Sequence, residues 1–281
     1  MRWIRRRENL RKLLSGEKCY HPASVFDPMS ARIAQDLGFE MAMFAGSVAS
    51  LTVLGAPDHI VLTLSEFADQ GRRICRSAEI PLVVDADHGY GNALNVMRCV
   101  EELEAAGISA LTIEDTALPM VFGSQQSAQL LSVEEGVGKM RAALEARIDP
   151  NLVIIGRTSA FGISNSQDAL ERAKAYEAAG VDALFMLGVK NHQQIELLNS
   201  EINIPLMLAG FSDLEFLAAN KVRICLQGHH PIMASVQAVY DTLAALRSGT
   251  AAGEIDRLAS TQLMKKVTRD AEYQRWIEEF L

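Results

Sequence analysis

The sequence has few cysteines and no long run of apolar residues. Its 281 residues include four cysteines, none of them in a Cys-x-x-Cys pair, so we expect neither a zinc cluster nor a dithiol redox site. No segment holds the roughly 20 apolar residues that span a bilayer, and the first residues lack a signal-peptide run. We therefore expect a soluble, cytoplasmic protein with reduced cysteines.

The sequence also has fewer basic than acidic residues. Lysine and arginine number 27 against 35 aspartates and glutamates, which gives a formal net charge of −8. Nucleic-acid phosphates require clustered basic side chains, so we expect neither nucleic acid nor a membrane as a partner. One basic run, residues 2–7, is interpreted as the solvated start of a helix. A leader, a lipid contact and a nucleic-acid arm are the alternatives.

What the chain does have is an alternation of short apolar runs, turns and segments of helical period. Continuous apolar runs indicate strands buried on both faces, and therefore a parallel sheet flanked by helices. Eight such units favour a closed (β/α)₈ TIM barrel over an open sheet. The runs are residues 23–25, 41–45, 82–84, 110–113, 153–155, 183–187, 205–208 and 222–226.

Residues typical of helix beginnings and helix ends predict helices between these apolar runs. Asn92 and Ser166 are favourable N-cap residues. Gly107 and Gly180 follow helix ends, where glycine adopts a left-handed conformation without strain. The predicted helices include residues 92–106, 133–146, 166–179 and 214–219.

The C-terminal part of the chain contains more helical sequence than a (β/α)₈ barrel requires. A helix is predicted over residues 233–247, and a charged tail follows over residues 251–281. We predict one barrel domain over residues 1–281, with a C-terminal helical extension from about residue 250. The extra helix is expected to pack on a neighbouring subunit.

Acidic side chains follow the third and fourth runs. In a barrel of this type, functional groups project from the carboxyl ends of the strands, which here place Asp85, Asp87 and Glu114 close together. Three carboxylates repel one another unless a cation lies among them. Hard oxygen ligands without cysteine favour Mg²⁺, or Mn²⁺, over zinc. Mg²⁺ keeps several waters, so one carboxylate can bind directly and the others through water. Helix capping is the alternative reading.

Arg157 ends the fifth run, which is otherwise apolar. A guanidinium at the mouth of an apolar barrel requires an anion, and a bidentate clamp on a substrate carboxylate suits it. The alternative is a structural ion pair with Glu114 or Asp115.

Two further strand ends offer groups for a substrate. After the second strand, Gly46, Ser47 and Val48 provide backbone amides and a hydroxyl for an oxyanion or carboxylate. After the last strand, His229 can donate to a substrate oxygen or move a proton. The long segment 118–131 is interpreted as a mobile lid, with an ordinary exposed loop as the alternative.

These residues together resemble the isocitrate lyase/phosphoenolpyruvate mutase superfamily over nearly the whole chain. Two segments, Val25-Phe-Asp-Pro-Met-Ser-Ala-Arg32 and Gly46-Ser-Val-Ala-Ser50, are most similar to its bacterial oxaloacetate decarboxylase branch. The superfamily motifs are Asp85-Ala-Asp-His-Gly-Tyr-Gly-Asn, Thr112-Ile-Glu-Asp, Glu134-Glu-Gly and Arg157-Thr.

The resemblance implies a Mg²⁺-dependent barrel that acts on α-keto or α-hydroxy acids. It also implies a homotetramer, a dimer of dimers that swap their last helix. Residue by residue, it implies Asp85 as the metal ligand, Asp58, Asp87 and Glu114 as water-mediated or more distant metal partners, and Ser47, Arg157 and His229 as substrate-binding residues.

Differences from the superfamily motifs reduce the number of reactions that the resemblance allows. Its lyases carry Lys-x-Cys-Gly-His in the loop after the fourth strand, whereas residues 119–126 contain neither cysteine nor histidine. This argues against cleavage of isocitrate or methylisocitrate. The loop asparagine of the mutase has no clear counterpart, which argues against C–P chemistry. Ser159 replaces the asparagine expected in the branch, and residues 209–213 also differ, which leaves the exact substrate open.

The hypothesis is decarboxylation of oxaloacetate to pyruvate and CO₂, a carboxy-lyase reaction through an enolate stabilised by the metal. Asp85, Arg157 and His229 would be the catalytic residues. One alternative is a C–C lyase or hydrolase acting on a related 2-keto or 2-hydroxy acid. Others are a Schiff-base aldolase with Lys190 as nucleophile, a phosphate-handling barrel, and a metabolite-binding protein without turnover.

Overall fold

The computed structural model of the chain describes residues 2–120, 122–123 and 128–281. Within these residues, eight parallel strands pair in sequence order. Tyr20 bridges Ile224 of the last strand, which brings the two edges of the sheet together and closes the predicted TIM barrel. The strands are β1 (Ala23–Ser24), β2 (Ala42–Ala45), β3 (Leu82–Asp85), β4 (Ala110–Glu114), β5 (Val153–Thr158), β6 (Ala183–Met186), β7 (Leu206–Ala209) and β8 (Val222–Leu226).

The helices in the described part of the chain follow the predicted alternation. A π-helical turn, Ser50–Leu54, continues the third helix, and a 3₁₀ turn, Ala252–Glu254, precedes the twelfth. The helices are α1 (Arg2–Ser15), α2 (Pro28–Asp36), α3 (Gly46–Ala49), α4 (Leu64–Ser77), α5 (Ala93–Ala106), α6 (Val133–Ala146), α7 (Ala160–Ile163), α8 (Ser166–Ala179), α9 (His192–Glu201), α10 (Leu214–Ala219), α11 (His230–Arg247), α12 (Thr261–Thr268) and α13 (Asp270–Phe280).

The helix signals of the sequence are confirmed with one correction. Asn92 caps α5, and Gly107 and Gly180 end their helices with φ of 94° and 100°. The predicted N-cap Ser166 is wrong, because Asn165 accepts hydrogen bonds from the first-turn amides and Ser166 is the first helical residue. Either residue type caps well, so the sequence alone did not distinguish the two positions.

Alternation along the strands divides the core in two. Side chains such as Met43, Ile155 and Phe185 fill the barrel interior, and Leu10 and Leu14 of α1 belong to the same buried cluster. The larger cluster lies between the strands and the surrounding helices. The packed interior leaves the carboxyl ends of the strands as the place where polar groups can meet.

The basic run at the start of α1 is not fully solvated, contrary to the expectation. Arg6 and Arg7 are buried. Arg6 Nη1 donates to the carbonyl oxygen of Cys75 (2.6 Å), and Arg7 Nε donates to that of Ile108 (2.9 Å). Because α1 packs on the barrel, backbone carbonyl groups of the barrel accept hydrogen bonds from Arg6 and Arg7. These bonds replace the ones that the two guanidinium groups would otherwise make to water.

The C-terminal helices pack loosely on the barrel. Of the 18 residues of α11, only Ile232 is buried. The helix α12 contributes the buried Val267, and Arg269, which follows it, pairs with Asp36 at the end of α2. No helix among the described residues is long and apolar enough to cross a membrane.

Candidate active site

The carboxyl ends of β3, β4 and β5 bring an arginine and three carboxylates together. Arg157 Nη1 lies 2.6 Å from both carboxylate oxygens of Asp85 and 3.9 Å from Asp87 Oδ1. Its Nη2 lies 3.2 Å from Glu114 Oε2. The parallel register places Glu114 directly beside Arg157. The expected convergence of Asp85, Asp87 and Glu114 is therefore present, and Arg157 lies among them.

Two threonines of the β4 segment hold these carboxylates. Thr112 Oγ1 donates to Asp85 Oδ1 (2.7 Å), and Thr116 Oγ1 donates to Glu114 Oε2 (2.9 Å). Residues 112 and 114 are two apart and therefore share one face of the strand. Sequence reasoning missed the threonines, although a hydroxyl two residues before a glutamate in an apolar strand was a usable signal.

Gly46 makes room for Asp87. Asp87 has a left-handed φ of 48°, and a Cβ atom built on Gly46 would overlap its carboxylate. The glycine was predicted to bind substrate, but the close approach of Asp87 is reason enough for its lack of a side chain. The side chain of Val48 is buried in the core, so only its backbone can face a ligand.

The charges of the cluster are not balanced. Burial, followed by repulsion from Asp85, raises the pKa of Asp87 to about 8, and burial also raises the pKa of Glu114. Burial alone would lower the pKa of Arg157, but the surrounding carboxylates raise it. Ionisation of all three carboxylates against one guanidinium would leave an excess of buried negative charge, and a divalent cation would balance it.

The donor set therefore fits a hard divalent ion. Among the described residues, no three histidine, cysteine, aspartate or glutamate side chains converge closely enough to hold an ion by themselves. Mg²⁺ usually retains several waters and takes only one or two carboxylates from the protein. Asp85 and Asp87 do not cap a helix, since Asn92 caps α5.

A cavity of about 270 Å³ opens above the cluster. Gly228 and Gln227 border it at the end of β8. Glu114 is not part of its lining; it contacts Arg157 from the side. The predicted site residues that line the cavity are Ser47, Asp58, Asp85, Asp87, Arg157 and His229.

Two contacts of the cavity wall were not predicted. Ser24 Oγ lies 2.9 Å from His229 Nδ1, and the guanidinium carbon of Arg157 lies 5.7 Å from the centre of the Phe185 ring. Burial lowers the pKa of His229, which favours the neutral form of its ring. Both contacts join residues that are far apart in the sequence, and no local sequence pattern predicts them.

Asp115 points away from the cavity. Its Oδ2 accepts hydrogen bonds from Tyr176 Oη (2.6 Å) and Arg172 Nη1 (2.9 Å). A Cβ atom on Gly136 would overlap the Tyr176 hydroxyl, which accounts for the glycine of the Glu134-Glu-Gly motif. Of the two ion pairs considered for Arg157, the one with Glu114 is therefore present and the one with Asp115 is absent.

Two other sequence-based interpretations have different outcomes. Lys190 is exposed and does not line the cavity. The interpretation as a Schiff-base aldolase is therefore wrong, because it requires a desolvated lysine in the active site. Residues 121 and 124–127 of the predicted lid lie outside the described residues. At the described base of that segment, Leu131 donates its amide to Asp115 O (2.8 Å).

Known proteins resemble this chain over most of its length. Residues 10–247 match the family described as phosphoenolpyruvate phosphomutase. The chain is 57% identical over 275 residues to an oxaloacetate decarboxylase of Rhodopseudomonas palustris (strain BisB18), covering 96% of this chain and 95% of that protein. It is 54% identical over 280 residues to one of Bradyrhizobium sp. (strain BTAi1), covering 98% and 97%.

A solved structure extends the comparison. The phosphonopyruvate hydrolase complex with oxalate and Mg²⁺ superposes with a TM-score of 0.86 at 29% identity, over 98% of this chain and 99% of that one. The chain therefore belongs to the phosphoenolpyruvate phosphomutase family and, within the isocitrate lyase/phosphoenolpyruvate mutase superfamily, to the branch of the oxaloacetate decarboxylases.

Proposed function

We propose that this protein decarboxylates oxaloacetate to pyruvate and CO₂ in the cytoplasm, with Mg²⁺ or Mn²⁺ as its cofactor. The observation that carries the proposal is the acidic cluster of Asp85, Asp87 and Glu114 around Arg157 beneath the cavity. The high identity to oxaloacetate decarboxylases supports the reaction class. The Mg²⁺ and oxalate of the hydrolase complex support a divalent ion and a carboxylate ligand.

Asp85 would hold the ion directly, and Asp87, Glu114 and Asp58 would act through water or at greater distance. When bound, the ion would supply Lewis-acid polarisation of the 2-keto group. Thr112 fixes the orientation of Asp85 through its hydroxyl. In this arrangement the carboxylates balance the ion, and Arg157 keeps the mouth of the cavity attractive to anions.

The chain's own residues would orient the substrate. Arg157 lines the cavity, so its guanidinium would contact a substrate carboxylate there. Ser47 lies on the cavity wall and, with the amides of Gly46 and Val48, would bind the carboxylate that is kept. Fixing this end orients the C3–C4 bond for cleavage.

The reaction breaks the C3–C4 bond of oxaloacetate. Its electron pair moves toward the C2 carbonyl oxygen, CO₂ departs, and a proton is added at C3 to give pyruvate. His229 lines the cavity and would donate a hydrogen bond to the oxygen that gains charge, which would lower the barrier.

The test is pyruvate formation from oxaloacetate by purified protein, before and after EDTA treatment and after Mg²⁺ is restored. We expect activity to be lost and recovered, and Asp85→Ala to lower kcat/KM about a hundredfold or more. Asp69→Ala, at an exposed position of α4, is the matched control. Full activity after EDTA treatment, or in Asp85→Ala, would contradict the proposal.

We also propose that the protein is a homotetramer, a dimer of dimers that exchange a helix, and that the exchanged helix is α11, the last helix before the segment 251–281, rather than the last helix of the chain. An apolar stripe on α11 is exposed. A separate cavity of about 480 Å³, with little polar lining, lies between α2 and the turn after β8, and Phe26, Ile33 and Phe39 border it. The α11 stripe of a second copy would suit this groove because both are apolar. The stripe comprises Met233, Val236, Val239, Tyr240, Leu243 and Leu246.

A further inference from the structure

His229 presents one ring nitrogen to a neighbouring hydroxyl and leaves the other to the cavity. Ser24 Oγ lies 2.9 Å from Nδ1. Ser24 belongs to β1 and His229 immediately precedes α11, so the contact joins the two strand ends that close the barrel. Nε2 is therefore the nitrogen available to a ligand. The cavity before it also contains Asp85 and Asp58.

We propose that Ser24 is a positioning residue whose hydroxyl donates to His229 Nδ1 and holds the imidazole in the tautomer with its proton on Nε2, toward the cavity. The proposal deepens the oxaloacetate decarboxylase function and rests on it for the catalytic consequence. The tautomer itself can be measured without turnover.

The direction of this hydrogen bond determines the tautomer. A serine hydroxyl can donate or accept, and among the described residues the hydrogen bond of Ser24 Oγ is the one to His229 Nδ1. When the hydroxyl donates, Nδ1 is the acceptor and the ring proton of neutral His229 lies on Nε2.

The two tautomers would treat the substrate differently. With the proton on Nε2, the ring donates to a substrate oxygen. With the proton on Nδ1, the Nε2 lone pair would face an anionic substrate and repel it. The Ser24 hydroxyl thus acts on the reaction through His229, in the way that an orienting carboxylate acts in other enzymes that use histidine.

The experiment uses the full chain labelled with ¹⁵N-histidine, above the pH at which the ring titrates. We compare wild type, Ser24→Ala and Ser24→Thr, and use His229→Gln to assign the ring signals. We expect long-range ¹H–¹⁵N correlations to show the Nε2–H tautomer in wild type and in Ser24→Thr, which keeps the hydroxyl. In Ser24→Ala we expect a mixture, because one neutral hydrogen bond shifts such an equilibrium by about three- to tenfold.

The kinetic arm measures oxaloacetate turnover at saturating Mg²⁺. We expect kcat of Ser24→Ala to fall about three- to tenfold, with no change in the Mg²⁺ concentration needed for half activity. Ser24→Thr should recover most of kcat. Wild-type Nδ1–H, or an unchanged tautomer in Ser24→Ala, would overturn the proposal, as would a changed tautomer with unchanged kcat. Absence of turnover in wild type would instead refute the proposed function, while the ring signals would still decide the role of Ser24.

Discussion

Thr112 holds the carboxylate that we assign to the metal. Its hydroxyl donates to Asp85 Oδ1 (2.7 Å), and the residue is fully buried in β4. Thr112→Val keeps the shape but removes this donor. We expect the affinity for Mg²⁺ or Mn²⁺ to fall about 10- to 100-fold, as for other residues that orient metal ligands.

The measurement is a calorimetric titration of the metal-free protein, with thermal unfolding to verify that the variant is folded. Thr112→Ser retains the hydroxyl and is the matched control, so its affinity should approach that of wild type. An unchanged affinity in Thr112→Val would show that Asp85 does not depend on this hydrogen bond.

Gly136 and Tyr176 pack closely against each other beside Asp115, outside the cavity. Alanine at position 136 would overlap the Tyr176 hydroxyl, which donates to the buried Asp115. We expect Gly136→Ala to lower the free energy of unfolding by about 1–3 kcal/mol, and Tyr176→Phe by a similar amount because Asp115 loses a donor.

The double variant is the informative measurement. Removing the hydroxyl relieves the closest overlap, so urea denaturation should show a loss in Gly136→Ala/Tyr176→Phe that is smaller than the sum of the two single losses. A strictly additive loss would mean that the two residues do not meet as described.

At the scale of a secondary-structure element, α8 depends on its first turn. The Asn165 side chain accepts hydrogen bonds from the amides of Gln167 (2.9 Å) and Asp168 (3.1 Å). Asn165→Ala should lower the free energy of unfolding by about 1 kcal/mol, measured by chemical denaturation. Asn165→Asp keeps the acceptor and should restore most of it; equal losses in the two variants would contradict the capping role.

The end of α12 is attached to α2 through an ion pair. Arg269 Nη1 and Nη2 each lie 2.7 Å from an oxygen of Asp36, and this hydrogen bonding lowers the pKa of Asp36. The attachment is therefore complete at neutral pH and is lost as the pH falls through that lowered value. Arg269→Ala should increase hydrogen exchange in residues 261–281 at neutral pH.

Arg247→Ala, in the last turn of α11, is a suitable control for the loss of one exposed arginine. The effect of Arg269→Ala should be largest at low ionic strength, because salt screens partly exposed charges. Unchanged exchange at low salt would show that the ion pair does not hold the segment, and that the buried Val267 and the hydrogen bonds from Arg32 to the carbonyl oxygens of Val267 and Thr268 are sufficient.

At the scale of the whole molecule, the exposed stripe of α11 sets the expected assembly. Light scattering of the wild type should give about 123 kDa, four times the chain mass of 30.7 kDa. Val236→Glu/Leu243→Glu places two charges on the stripe and should yield smaller species, because a charge is costly to bury at an apolar interface. Leu94→Glu, at an exposed apolar position of α5, is the control. A monomeric wild type would contradict the tetramer.

The barrel was predictable because its signals are local. All eight apolar runs coincide with strands, and the signals at Gly107 and Gly180 mark real helix ends. The burial of Arg6 and Arg7 was not predictable, because it depends on backbone carbonyls supplied by Cys75 and Ile108. A single barrel domain over residues 1–281 stays a prediction.

The sequence by itself determined that Asp85, Asp87 and Glu114 meet, because parallel strand ends converge at one face whatever the details of packing. Only the tertiary structure decided which groups touch. Ser24 and His229 are 205 positions apart, and Arg157 contacts Asp85 across 72. Such contacts depend on strand register and side-chain rotamers, which arise when the whole barrel closes and which no local pattern encodes.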